Sequence, residues 1–339
     1  FYTVLLLLVS STFMYLAESS IQPELLGSIP RCLCWSITTV SAVGYGDAIP
    51  VTAVGKTIAS ITSLMGIAAI AIPTGILASG FSESIGVQHK NKKQLNKNSH
   101  STLLGVTNPS ASILAKKLID IVPKGLRKVF YSGDGASAVE VALKMAFQYW
   151  ILKDMPSKQK FICLKDGYHG DTLGAVSVGG IDLFHSVYDP LLFESFHITS
   201  YDSSDQTILE LEKILSEKSY EVAALILEPY VQAAGGIKVA KDGYLKEIRL
   251  ICDKYNILLI ADEVATAFGR TGEMFACNHD DVTPDILVLG KGLTSGYLPL
   301  SATITTEKIF DAFLGEVDEL KAFYHGHSYS GNPLACATG

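Results

Sequence analysis

Hydrophobic and polar positions follow two different patterns along this chain. Phe1–Leu16 is an uncharged apolar run, and Thr57–Phe81 is a second. The first is slightly short of the roughly 20 residues that a helix needs to cross a bilayer, and the second is long enough. From about Ser112 the period changes to amphipathic helical stretches alternating with short apolar strands at Val129–Tyr131, Lys160–Leu164, Val222–Leu227, Ile257–Ala261 and Ile286–Leu289. The first pattern predicts two membrane-crossing helices. The second predicts an α/β fold with a mostly parallel sheet, whose chemistry belongs at the carboxyl ends of its strands.

Charge divides the chain in the same places. Residues 1–86 carry only Glu18, Glu24, Arg31, Asp47, Lys56 and Glu83; Lys90, Lys92, Lys93 and Lys97 follow without an acid, and the remainder is acidic, within a net charge of −7. A hydrophobic fraction of 48% with 18% charged residues excludes intrinsic disorder. The expected division is a membrane module at 1–86, a basic flexible linker at 87–104 and a soluble domain at 105–339. The basic stretch places the end of the second span, and the domain beyond it, in the cytoplasm. By the same bias Phe1 is cytoplasmic and Glu18–Pro30 lies outside. Both termini read as cut. Cys32, Cys34, Cys163, Cys252, Cys277 and Cys336 show neither zinc spacing nor a disulfide framework.

Between the two spans lies Ser36-Ile37-Thr38-Thr39-Val40-Ser41-Ala42-Val43-Gly44-Tyr45-Gly46-Asp47, preceded by a short amphipathic helix over Leu26–Ile37. Glycines alternating with larger residues let successive carbonyls point at one axis and replace an ion's hydration shell. The segment resembles the pore helix and selectivity filter of potassium channels. That resemblance implies a homotetramer binding potassium ions through the carbonyls of Val43, Gly44, Tyr45 and Gly46. Ala42 stands where the family usually has Thr, which removes a hydroxyl ligand at the inner mouth. Gly66, Pro73 and Gly75 read equally as a gating hinge or as ordinary helix packing.

In the second part, four strand ends carry notable residues. Tyr131-Ser132-Gly133-Asp134-Gly135-Ala136 leads from a strand into a helix over Val139–Lys153, whose free amides can hold a phosphate. Gly167-Tyr168-His169-Gly170-Asp171 offers an aromatic cover for a flat ring. The apolar run ending at Ala261 meets Asp262 and Glu263, and Ile286–Leu289 delivers Lys291 into the turn Gly290-Lys291-Gly292, 29 residues after Asp262. Singly, the first reads as a glycine turn, the third as a helix cap and the fourth as a surface lysine.

Taken together the set resembles fold-type I, class III aminotransferases dependent on pyridoxal 5'-phosphate. Such chemistry uses a lysine to anchor the coenzyme, an acid beside its ring nitrogen, an aromatic on its face and a phosphate cup. The resemblance implies Lys291, Asp262 and Tyr168 as catalytic, Gly135 and Ala136 as the cup, and Glu228 below the ring network. It further implies that Arg270 and Gly326 face substrate, and that His327 and Ser328 reach the phosphate of the neighbouring subunit in a homodimer. Ala136 is often Ser in the family. The nearest branch transfers an amino group from S-adenosylmethionine to 8-amino-7-oxononanoate in biotin biosynthesis. Another class III omega-aminotransferase, a channel carrying an enzyme remnant, and two mis-joined fragments remain alternatives. His185, His197 and His279 read as solvated or satisfied, and Glu210, Glu212 and Glu217 with Lys213 and Lys218 as an exposed helix face. No nucleic-acid patch is evident.

Overall fold

The computed structural model describes residues 2–40, 46, 48–66 and 107–339. The chain forms two compact units, Phe1–Lys93 and Gln94–Gly339.

In the first unit the helix Tyr2–Glu18 packs on the helix Ile29–Val40 around Met14, Leu26, Cys32 and Trp35. The expected pore helix begins three residues later than its sequence pattern suggests, because Pro23–Leu26 forms a separate turn ending at Gly27 and Pro30 occupies the first turn of the next helix. Residues 53–66 are helical. The buried Glu18 carboxylate accepts bonds from Thr52 N at 2.9 Å, Thr52 Oγ1 at 2.7 Å and Gln22 Nε2 at 2.8 Å, so the end of one helix holds the start of another. A Cβ on Gly66 would lie 2.8 Å from the Val40 backbone, so this glycine permits close helix packing. Pro73 and Gly75 lie outside the described residues. So do Val43, Gly44 and Tyr45, whereas Gly46 has φ +75°. Among the described residues no helix is long and apolar enough to cross a membrane. Tyr2–Glu18 has 17 residues, and the expected second span runs on past residue 66.

The second unit is built on a seven-stranded sheet in the order β1-β9-β8-β7-β4-β2-β3. Its strands are β1 (Leu126–Ser132), β2 (Lys160–Leu164), β3 (Phe196–Ile198), β4 (Val222–Leu227), β7 (Leu258–Asp262), β8 (Ile286–Leu289) and β9 (Ser301–Thr306). A small hairpin pairs β5 (Val231–Gln232) with β6 (Lys238–Val239). Only β9 runs against its neighbours in the large sheet. Alternate residues of the central strands enter opposite cores: Leu225, Leu227, Leu259, Leu287 and Leu289 on one face, Ala224, Ile226, Ile260, Ile286 and Val288 on the other. Burial on both faces explains why these strands read as continuous apolar runs.

Four elements depart from the sequence reading. β3 and β9 were not expected, since β9 is Ser-Ala-Thr-Ile-Thr-Thr and looks polar. Three of its four hydroxyls nonetheless bond backbone carbonyls: Ser301 Oγ donates to Asp134 O at 2.6 Å, Thr303 Oγ1 to Ala138 O at 2.8 Å and Thr305 Oγ1 to Asp285 O at 3.1 Å. The helix after β1 spans Gly135–Leu152 rather than Val139–Lys153, because the Asp134 side chain accepts from Ser137 N and caps it four residues earlier. The helix Ser204–Lys218 does not simply expose its acids. Glu210 accepts from Thr199 N at 2.7 Å, and Glu212 from Tyr255 Oη at 2.8 Å.

Candidate active site

β1, β2, β4, β7 and β8 all run in one direction, so the residues that follow them emerge along a single edge. There they surround a cavity of about 540 Å³. Its walls include Gly135 and Ala136 after β1, Tyr168 after β2, Glu228 after β4, Asp262 at the end of β7 and Lys291 after β8.

Asp262 pairs in register with Val288 of β8, three positions before Lys291, so adjacent strands bring the carboxylate and the amine to one mouth. The Asp262 side chain is buried and anchored twice. His169 Nδ1 donates to Oδ2 at 2.7 Å, and Val264 N donates to Oδ1 at 3.0 Å. Burial works against charge on His169, but the hydrogen bond and negative charge of Asp262 outweigh it and raise the imidazole pKa. Glu228, itself buried, accepts from Tyr168 N and Ala233 N at 3.0 Å each. Desolvation raises its pKa. Glu263, next to Asp262, instead takes the amides of Ala276 at 2.7 Å and Cys277 at 2.9 Å and belongs to the packing beneath.

Tyr168 donates its phenol to Asp171 Oδ2 at 2.8 Å, and burial with this bond pushes the phenol up to about 12. Lys291 sits in left-handed backbone, φ +36°, in the 3-10 turn Lys291–Thr294. That region is unfavourable for a residue with a Cβ, and such strain persists where the surroundings impose it.

The helix start of Gly135–Leu152 approaches two other loops closely. A Cβ on Gly135 would lie 2.8 Å from Val264 Cγ1. One on Gly170, where φ is +117°, would run into the Ala136 methyl. Glycine at both places leaves the amides of this turn beside the cavity.

Not every expected residue converges. Arg270 is exposed in the turn Gly269–Gly272 and does not line the cavity. Gly326, His327 and Ser328 are also exposed and line no part of it. His185 is buried rather than solvated, and His279 stacks on Tyr230 with ring centroids 4.1 Å apart. Conversely, His169 was not singled out, although Tyr168 beside it was. Its partner lies 93 residues away on another strand, a relation without a local signal.

Residues 83–339 match the aminotransferase class-III family. The chain belongs to that family. This class III aminotransferase is 52% identical over 259 residues to adenosylmethionine-8-amino-7-oxononanoate aminotransferase of Geobacter sulfurreducens, a match covering 73% of the chain and 57% of the relative. The crystal structure of adenosylmethionine-8-amino-7-oxononanoate aminotransferase from Methanocaldococcus jannaschii is similar with TM-score 0.69 and 49% identity, over 73% of this chain and 57% of that one. A thermostable (S)-enantioselective omega-transaminase from Thermomicrobium roseum is similar with TM-score 0.67 and 34% identity, over 73% and 57%. The class III aminotransferase chain thus spans little more than half the length of these relatives, and shares their fold-type I architecture. Residues 2–83 match an ion channel family.

Proposed function

We propose that the second unit binds pyridoxal 5'-phosphate and transfers an amino group from S-adenosylmethionine to 8-amino-7-oxononanoate, forming 7,8-diaminononanoate for biotin biosynthesis. The observation that carries this reading is the convergence of Lys291, Asp262, Tyr168 and the Gly135–Ala136 amides on one cavity. The residues fit the coenzyme. A helix start with free amides suits a phosphate without a basic side chain, and the buried Asp262 suits a ring nitrogen. When bound, the coenzyme supplies an electron sink conjugated to the amine-bearing carbon of the substrate.

In this reading Asp262 holds a proton on the ring nitrogen, and His169 behind it steadies the carboxylate by its 2.7 Å bond. Tyr168 covers one face of the ring. Lys291 Nζ anchors the coenzyme and later moves a proton at the substrate's amine-bearing carbon. Ala136 contributes its amide but no hydroxyl to the phosphate. Arg270 and Gly326 are proposed for the substrate side, and His327 and Ser328 for the phosphate of the other subunit of a homodimer. Higher identity to the 8-amino-7-oxononanoate enzymes than to the omega-transaminase favours this substrate pair.

The test is to incubate the full chain with pyridoxal 5'-phosphate, reduce with borohydride and map the adduct by mass spectrometry. An adduct on Lys291 that disappears in Lys291→Ala is expected. An adduct unchanged in that variant removes Lys291 from the role.

The ion channel match favours a second reading for residues 1–86: a membrane-embedded, potassium-selective pore module that tetramerises, with the enzyme part in the cytoplasm. Potassium over sodium selectivity in planar bilayers is the expected outcome, and equal permeability contradicts it.

A further inference from the structure

One buried histidine has no part in the chemistry above. His185, at the end of the short helix Asp182–His185, is 6% exposed, yet among the described residues neither ring nitrogen has a hydrogen-bond partner. An imidazole buried in this way is less favourable than an apolar side chain of similar volume, so packing does not explain the residue type. Its surroundings do. The ring lies nearly parallel to that of Tyr168, with centroids 6.2 Å apart and planes 16° from each other. Its Nε2 is 3.8 Å from Asp171 Oδ1, while the other oxygen of the same carboxylate takes the Tyr168 phenol at 2.8 Å. Room for the imidazole exists because residue 179 is glycine: a Cβ there would lie 3.0 Å from His185 Cε1. The Gly179 carbonyl is in turn bonded to His197 Nε2 at 2.8 Å, which fixes that wall.

Tyr168 and Asp171 line the cavity, whereas His185, which neighbours both, does not. We propose that His185 is a positioning residue: it backs the Tyr168 ring and, through the shared Asp171 carboxylate, sets the plane that this ring presents to the coenzyme. The inference rests on the coenzyme reading given above, but the placement of Tyr168 can be read without any coenzyme. Stacked aromatic pairs have defined geometries, and losing one partner releases the other by a measurable amount.

The experiment uses the full chain labelled with 3-fluorotyrosine, the Tyr168 signal being assigned with Tyr168→Phe. In the absence of coenzyme, His185→Leu and His185→Gln should both move the Tyr168 fluorine signal, whereas His185→Phe, which keeps a flat ring but loses the Asp171 contact, should move it by a smaller amount. The other tyrosine signals report whether each variant is folded, and the Gln variant decides if the Leu variant is not. With pyridoxal 5'-phosphate added, affinity should fall about fivefold in Leu and Gln and stay within about twofold in Phe. A Tyr168 signal unmoved in the Gln variant, or moved as far in Phe as in Gln, overturns the assignment. Failure of the unmutated chain to bind the coenzyme would count against the coenzyme reading alone, because the fluorine signal still decides the role of His185.

Discussion

His169 Nδ1 donates to Asp262 Oδ2 across 2.7 Å, joining a loop after β2 to the end of β7, and both side chains are buried. The pair makes the carboxylate a fixed feature of the cavity rather than a mobile acid, and it supports distinct expectations for its two members. Asp262→Asn should leave the borohydride-trapped adduct on Lys291 but lower transamination by at least about a hundredfold, since an amide cannot hold the ring nitrogen protonated. His169→Leu, one step removed, should cost about tenfold. Steady-state assays beside adduct yield check both.

The same pair has a pH signature. The folded-state pKa of His169 lies above its ordinary 6.5, so the stabilisation it provides is fully present below that value and is lost as pH rises through the folded pKa. His169→Gln should therefore destabilise the enzyme part most at pH 6, with the difference shrinking toward pH 9. Denaturant titrations of both proteins at the two pH values measure it, and a gap that widens with pH contradicts the assignment.

Gly170→Ala should be severe for its size. The position has φ +117°, and the added methyl meets Ala136 at the start of the helix Gly135–Leu152. Strain and overpacking together should cost about 2–3 kcal/mol and weaken coenzyme binding, because the displaced turn is the proposed phosphate cup. Chemical denaturation and coenzyme titration report the two effects separately.

Thr303→Val keeps the volume of a fully buried side chain but deletes its bond to Ala138 O. A loss of about 1–2 kcal/mol is expected, with the adduct on Lys291 retained. A neutral result would mean that the carbonyl finds another donor.

For the proposed pore, Gly44→Ala should abolish conduction in bilayers by adding a side chain where the filter backbone needs freedom. Normal currents in the variant would remove Gly44 from the conduction path.

How much of this was legible beforehand varies by residue for physical reasons. The sequence pattern predicts β2, β4 and β8 with their observed bounds because central strands buried on both faces form nearly continuous apolar runs. Lys291 and Asp262 stood out because each interrupts such a run abruptly at its carboxyl end. The glycines at 135 and 170 marked turns, but only the packed structure shows that their missing side chains let three loops meet beside one cavity. β9 was hidden because it is polar in sequence, and its burial rests on the bonds of Ser301, Thr303 and Thr305 to the backbone carbonyls of Asp134, Ala138 and Asp285.

The chain's sequence by itself determined the division into a charge-poor segment and a charged α/β domain, since solvent selects composition locally. It also determined which strand ends place polar residues at the cavity, because a polar residue closing an apolar run is visible within a few positions. The tertiary structure alone decided that His169 grips Asp262, that the rings of His185 and Tyr168 lie nearly parallel, and that Glu263 takes the Ala276 amide beside Asp262 at the cavity. Those relations depend on strand order and on which side of a strand end each residue leaves. Nothing near a residue in sequence encodes a partner that the sheet brings from tens of positions away.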